Sequence, residues 1–203
     1  LAALLMLGPV SISRLDTISV ALAVVAVFAL SRGREASAAI WLSVATWVKV
    51  WPIAALSAIF VASKRKLNTL TVILCANVAI LLIGFVLGAD SSIFSFLSGQ
   101  TGRGIQIEAP IAAFWLWPAV LGDQAFGIHY SSTMMTFEVF GANSEIFANL
   151  MSLVQFGALA ITFGLGYLAM RKGAKSTDVF FWVLATGVLD LIVFNKVGSP
   201  QYM

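Results

Sequence analysis

Charge is scarce in this chain. Only 10% of its 203 residues are Asp, Glu, Lys or Arg, against roughly 25% in a soluble domain. There is one histidine, His129, and one cysteine, Cys75. One of each cannot build a zinc site, so no metal or other cofactor is expected. Cys75 sits alone in an apolar run with no activating neighbour and reads as a small packing or lipid-facing residue. There is no Gly-x-Ser-x-Gly, which leaves a serine hydrolase unsupported. The glycines around Arg103 are not followed by Gly-Lys-Ser/Thr, so they form no phosphate loop of the nucleotide-binding kind. Long linkers, low-complexity tracts and internal repeats are absent too.

What is abundant is apolar sequence: 60% of the residues are hydrophobic and the mean hydropathy is +0.97. A polytopic membrane protein is the class that fits, with the lipid bilayer as its first partner. The pI of about 9.3 does not point to nucleic acid, because the positive charge lies in short loops beside apolar runs. Eight of the 12 Lys and Arg residues fall in three clusters: Arg32 with Arg34, Lys64 to Lys66, and Arg171-Lys172 with Lys175. Basic short loops mark the cytoplasmic side, and all three can be cytoplasmic at once. The localisation expected is therefore the cell membrane, multi-pass.

A span needs about 20 apolar residues. Residues 15–31 read as a span running inward to the first basic cluster. Residues 36–62 are basic at both flanks and carry Lys49-Val-Trp-Pro52 in the middle. Proline removes a backbone donor and disfavours helix in the residue before it. Two short helices meeting near Lys49–Pro52 fit better than one kinked span. Residues 67–88 run outward, 145–170 return, and 178–194 run outward again. Between them, residues 89–144 form a long extracytoplasmic loop. Its apolar stretch 110–121, with Trp115 and Trp117, suits an interfacial or re-entrant segment. The spacing of Ala160 and Gly164 suggests close helix packing. The fold class expected is an all-α transmembrane bundle forming one integral-membrane domain over residues 1–203.

A few polar residues stand out against this background. Lys49 lies mid-span, where a charge costs at least about 2.5–3.5 kcal/mol and so tends to face a cavity or partner; snorkelling to an interface is the plainer account. In Thr101–Glu108, Gly102 and Gly104 permit close approach of a ligand, and Arg103 offers a planar fork of donors to phosphate. Gln106 and Glu108 suit sugar hydroxyls, while an Arg103–Glu108 ion pair would merely pin the loop. His129 in the outer loop fits a structural hydrogen bonder better than a catalyst. Asp190, in the last span, is a functional candidate by default as an intramembrane acid, and pairing with Lys49 or Lys196 would also explain it. Asn195–Tyr202 gathers Lys196, amide donors and a proline-broken helix end at the outer face.

Taken together, Lys49-Val-Trp-Pro52, Arg103-Gly-Ile-Gln-Ile-Glu108 and Asn195-Lys-Val-Gly-Ser-Pro-Gln-Tyr202 resemble signature stretches of glycosyltransferase family 87. These are the polyprenol-phosphate-mannose-dependent α-1,2-mannosyltransferases of the membrane-embedded GT-C class, common in actinobacteria. Arg14-Leu-Asp16 before a span is similar as well, so the resemblance covers nearly the whole chain. It implies a hexosyltransferase of cell-envelope biosynthesis. Such an enzyme moves mannose from a polyprenyl phosphate to a glycolipid or polysaccharide acceptor at the extracytoplasmic face, with inversion and without a nucleotide sugar. Lys49, Arg103, Gln106, Glu108, Lys196, Gln201 and Tyr202 become the donor-site candidates, with Arg14, Asp16, His129 and Asp190 behind them. In the GT-C class the catalytic base is typically an Asp in the first outer loop. The chain opens on Leu and reads as a stretch of a longer protein, so the base is expected upstream and this stretch is expected to be inactive alone. Three other readings compete: a polyprenyl-phosphate-arabinose-dependent transferase; a secondary transporter, which would show internal symmetry between halves; and a non-catalytic structural or assembly membrane protein, which would leave Lys49, Arg103 and Lys196 without a shared pocket.

Overall fold

The computed structural model describes residues 15–90, 93, 103–132 and 135–197, with the side chains of Leu15 and Asp16 left aside. The chain divides into two compact units, residues 1–88 with 163–187, and residues 89–162 with 188–203. It is mostly helical. Among the described residues, three helices are long and apolar enough to cross a membrane: Lys66–Val86, Ser144–Arg171 and Ser176–Val193.

In the first unit, α1 (Leu15–Ser31) and α2 (Glu35–Val48) pack through small residues. Ser19, Ala23 and Ala26 form a buried stripe at helical spacing, and Ala38 and Leu42 of α2 join the same core. Small side chains let two backbones approach closely, which is how helices associate where lipid removes the hydrophobic drive. At 17 residues α1 is shorter than the three long helices. The turn to α2 closes on Gly33 at φ +73°, with the Arg34 N–H donating to Ala29 O at 3.0 Å and the Gly33 N–H to Leu30 O at 2.9 Å. Only glycine adopts that backbone without strain.

Helix α2 ends at Lys49, which is extended (φ −153°, ψ 142°), and α3 (Ile53–Ala62) starts after Pro52. The arms of 14 and 10 residues are about 21 and 15 Å long, so neither crosses about 30 Å of hydrocarbon alone. They double back: the Ser63 hydroxyl after α3 donates to Glu35 Oε2 at the start of α2, at 3.1 Å. Side chains around the bend are held by neighbours. The Trp51 indole donates to Ser19 Oγ at 3.0 Å, and the Trp47 indole to Asn77 Oδ1 at 2.7 Å. Asn77 lies on α4 (Lys66–Val86), where Thr69 is the one buried residue. By length and composition this exposed, apolar helix is suited to cross a membrane.

Helices α6 (Ser144–Arg171) and α7 (Ser176–Val193) contribute to both units. In the first unit their close contact is made at Gly166, not at Gly164. A Cβ on Gly166 would collide with Val183 and come within 3.0 Å of Val61 Cγ1, whereas a Cβ on Gly164 meets nothing within 4 Å. The small-residue spacing at Ala160 and Gly164 therefore does not mark the packed face.

The second unit departs from an all-α fold. After a 3-10 turn at Pro110–Ala112 and the short helix α5 (Ala113–Val120), the chain forms an antiparallel hairpin, β1 (Gly127–Ser131) with β2 (Thr136–Phe140). β-branched and aromatic residues alternate with polar ones through both strands, which favours strand over helix. Phe114, Trp117, Val120 and Leu121 share an exposed side of α5. Trp115 is buried on the other side, donating to Ala142 O at 3.1 Å and stacking edge-on against Phe147. One aromatic thus anchors the segment while the others face outward.

Candidate functional site

The most concentrated buried polar chemistry lies in the second unit. Residues 105–107 run beside β2 and make one isolated antiparallel bridge to it: the Val139 N–H donates to Ile105 O at 2.9 Å and the Ile107 N–H to Phe137 O at 3.2 Å. Gln106 pairs with Glu138 across this edge, and Glu138 pairs with His129 across the hairpin. Residues paired directly across antiparallel strands share a face. The ribbon therefore carries a polar row, Gln106–Glu138–His129, on one face. Its other face is apolar at Ile105 and Val139, which belong to a core with Ala109, Ala112, Trp115 and Ala148.

Glu138 is the hub. It is buried, and its Oε1 accepts the Gly104 N–H at 3.1 Å. Its Oε2 stands 3.7 Å from Nε2 of the half-exposed His129. Gly104 leaves room for this approach: a Cβ there would sit 2.6 Å from Glu138 Oε2, and the carboxylate would have to shift. Lys196 joins from the turn after α7. Its carbonyl accepts the Gln106 N–H at 2.9 Å, and Asn195 Oδ1 shapes the turn by accepting the Val197 N–H at 3.0 Å. Lys196 is buried. Burial pushes its ammonium pKa below the ordinary lysine value, and the Glu138 carboxylate pulls the other way without fully offsetting it. A buried acid and base are costly to desolvate, and such groups cluster at working sites.

Of the remaining candidates, Arg103 adjoins the polar row and the others lie outside it. Arg103 is half-buried and leads into Gly104, while Glu108 is exposed in the turn that follows. Asp190 is buried beside α6 and accepts the Thr162 hydroxyl at 2.7 Å. Lys49 belongs to the first unit, half-buried at the α2–α3 bend, where its N–H closes α2 on Ala45 O at 2.9 Å. The Asp16 side chain, Arg14, Gln201 and Tyr202 lie outside the described residues.

Sequence reasoning missed Glu138 as a site residue. The signal was present as Phe137-Glu138-Val139, an acid between two apolar residues of a strand, matched by Ile105-Gln106-Ile107 and Ile128-His129-Tyr130. Among the described residues, no group of three or more His, Cys, Asp and Glu side chains could hold a metal ion. Chemically, the row offers an acceptor carboxylate, an amide and an imidazole beside a buried ammonium. Such a set can hydrogen-bond hydroxyls and neutralise an anion. Compared with protein-family models, curated proteins and solved structures, the chain matches none.

Proposed function

We propose that this protein is a membrane glycosyltransferase of the GT-C kind, using a polyprenyl-phosphate sugar, mannose by resemblance to family 87, and a cell-envelope glycolipid or polysaccharide as acceptor. In this reading the basic loops are cytoplasmic and transfer occurs at the extracytoplasmic face. The observation that carries it is the meeting of two of the segments on which the resemblance rests. Arg103–Glu108 and the turn at Asn195–Val197 are 87 or more residues apart in sequence, yet Gln106 and Lys196 share a backbone hydrogen bond of 2.9 Å beside the buried Glu138.

The chemistry asked of the site is limited. The acceptor hydroxyl attacks the anomeric carbon from the face opposite the phosphate. The bond from that carbon to the phosphate oxygen breaks, and polyprenyl phosphate leaves with the electron pair. The hydroxyl proton passes to a carboxylate acting as general base. Lys196 and Arg103 offset the charge that grows on the leaving phosphate, an effect worth several kcal/mol when donors are preorganised. Gln106, Glu138 and His129 hold sugar hydroxyls and fix the anomeric carbon in line.

The test is transfer by membranes carrying the full-length protein, supplied with radiolabelled polyprenyl-phosphate mannose and an envelope-lipid extract. New labelled glycolipid, lost in Lys196→Ala at equal expression, is the expected result. Transfer from polyprenyl-phosphate arabinose alone would change the donor sugar. Transfer from neither would remove the glycosyltransferase reading.

A further inference from the structure

The first unit holds a cleft of about 420 Å³ whose lining touches the chain next to each of the three basic clusters. Gly33, Ser63 and Ser176, one from each loop, all line it. Each has a cationic neighbour in the chain: Arg32 and Arg34 flank Gly33, Lys64 follows Ser63, and Lys175 precedes Ser176. All four cations are exposed. A preference for basic residues on one side of a membrane accounts for cations in these loops. It does not account for a cleft between them with a polar floor and apolar walls.

The floor is defined by hydrogen bonds. The buried Ser63 hydroxyl donates to Glu35 Oε2 at 3.1 Å and accepts the Arg65 N–H at 3.0 Å. The Ser176 hydroxyl donates to Ala62 O at 2.6 Å, tying the start of α7 to the end of α3. These contacts hold the Glu35 carboxylate in the cleft. Among the described residues, none donates to its Oε1. Leu30, Ile59 and Phe180 supply apolar wall. Lys66 is already engaged, its ammonium donating to Val61 O at 2.6 Å. The other acid at this end, Asp178, is exposed.

An anion alone would face the Glu35 carboxylate, and an amine alone would enter past Arg34, Lys64 and Lys175, each next to a lining residue, with Arg32 resting on the Phe28 ring. We propose that the cleft binds the headgroup of a glycerophospholipid that carries a phosphate and, at its far end, a hydrogen-bond donor such as an amine or hydroxyl. The phosphate meets the cations at the rim, and the terminal donor reaches Glu35 Oε1. The acyl chains follow the apolar wall into the bilayer. Basic pockets between transmembrane helices are a recurrent way of holding phospholipid headgroups, and the volume falls in the range of small-molecule sites. The inference rests on the membrane-embedded character of the chain and not on the transferase reading.

The experiment is native mass spectrometry of the detergent-purified full-length protein, titrated with phosphatidylethanolamine, phosphatidylglycerol or phosphatidylcholine of matched acyl chains. Both donor-bearing lipids are expected to bind more tightly than phosphatidylcholine, whose trimethylammonium cannot donate. The paired variant Lys64→Gln with Lys175→Gln should weaken them about thirtyfold, from two charges near the surface. A charge-matched control, Arg171→Gln with Lys172→Gln, changes residues that neither line the cleft nor adjoin a lining residue, and should lose less than about threefold. Glu35→Gln retains an acceptor for Ser63 and should narrow the preference over phosphatidylcholine. Equal losses in both paired variants would overturn the proposal in favour of diffuse surface attraction. Displacement of lipid by millimolar inorganic phosphate would overturn it in favour of a soluble phosphate site.

Discussion

Gly104→Ala tests the polar row at its tightest point. The Gly104 N–H donates to Glu138 Oε1 at 3.1 Å, and an added Cβ meets Oε2 of the same carboxylate at 2.6 Å and Cδ at 3.0 Å, where ordinary contact begins at 3.4 Å. Glu138 is buried, so its carboxylate cannot simply swing into solvent. Relieving the clash pushes it off the Gly104 N–H. A hydrogen bond to a charged acceptor contributes about 1.5–3 kcal/mol, equivalent to about 10- to 150-fold in an equilibrium or rate. Transfer kcat/KM in membranes of the full-length protein should fall within that range. A second reading of the same variant is independent of activity. As the carboxylate recedes, the pKa of Lys196 falls further and its labelling by an amine-reactive reagent near pH 8.5 speeds up. Gly157→Ala, in α6 of the same unit with nothing within 4 Å of its added Cβ, is the matched control. It should leave both readouts unchanged and stabilise the helix by about 0.5–1 kcal/mol. Wild-type labelling and wild-type transfer in Gly104→Ala would refute the reasoning.

Further outcomes follow from the same contacts. The lowered pKa of Lys196 lies below the 10.5 of free lysine, so between the two values the unfolded chain binds more protons and stability rises with pH through that window. Glu138→Gln removes the opposing charge and extends the window to lower pH; its unfolding midpoint should lie below wild type at pH 7.5 and approach it toward pH 10. Gly166→Ala should destabilise the first unit by about 1–3 kcal/mol through overpacking against Val183 and Val61, while Gly164→Ala should be neutral or slightly stabilising in the same thermal-unfolding assay. Thr162→Val removes the 2.7 Å hydrogen bond to the buried Asp190 and should cost about 1–3 kcal/mol, read as faster hydrogen exchange along 186–193.

The parts of the fold set by local chemistry are those the sequence makes legible. Proline at position 52 removes a donor and the chain leaves helix at Lys49–Pro52; Lys66–Val86 is an unbroken apolar run and forms one helix. The hairpin was less visible, because its polar positions Gln106, His129 and Glu138 make sense only once three segments are placed side by side. Pairing of residues 106, 138 and 196 is a long-range event, and spacing along the chain carries no register information between separate segments. The choice of Gly166 over Gly164 depends on which side of α6 faces Val61, Val179 and Val183. A four-residue pattern of small side chains does not set that rotation.

The most direct measurement is photocrosslinking of the full-length protein in membranes with a polyprenyl-phosphate sugar analogue whose photoreactive group sits next to the phosphate, followed by peptide mapping. Crosslinks in 103–108 and 195–197, competed by unlabelled polyprenyl-phosphate mannose and reduced in Lys196→Ala, are the expected result. Competed crosslinks confined to the basic cleft around Glu35 and Ser63, or no competed crosslinks at all, would contradict the assignment of the donor site.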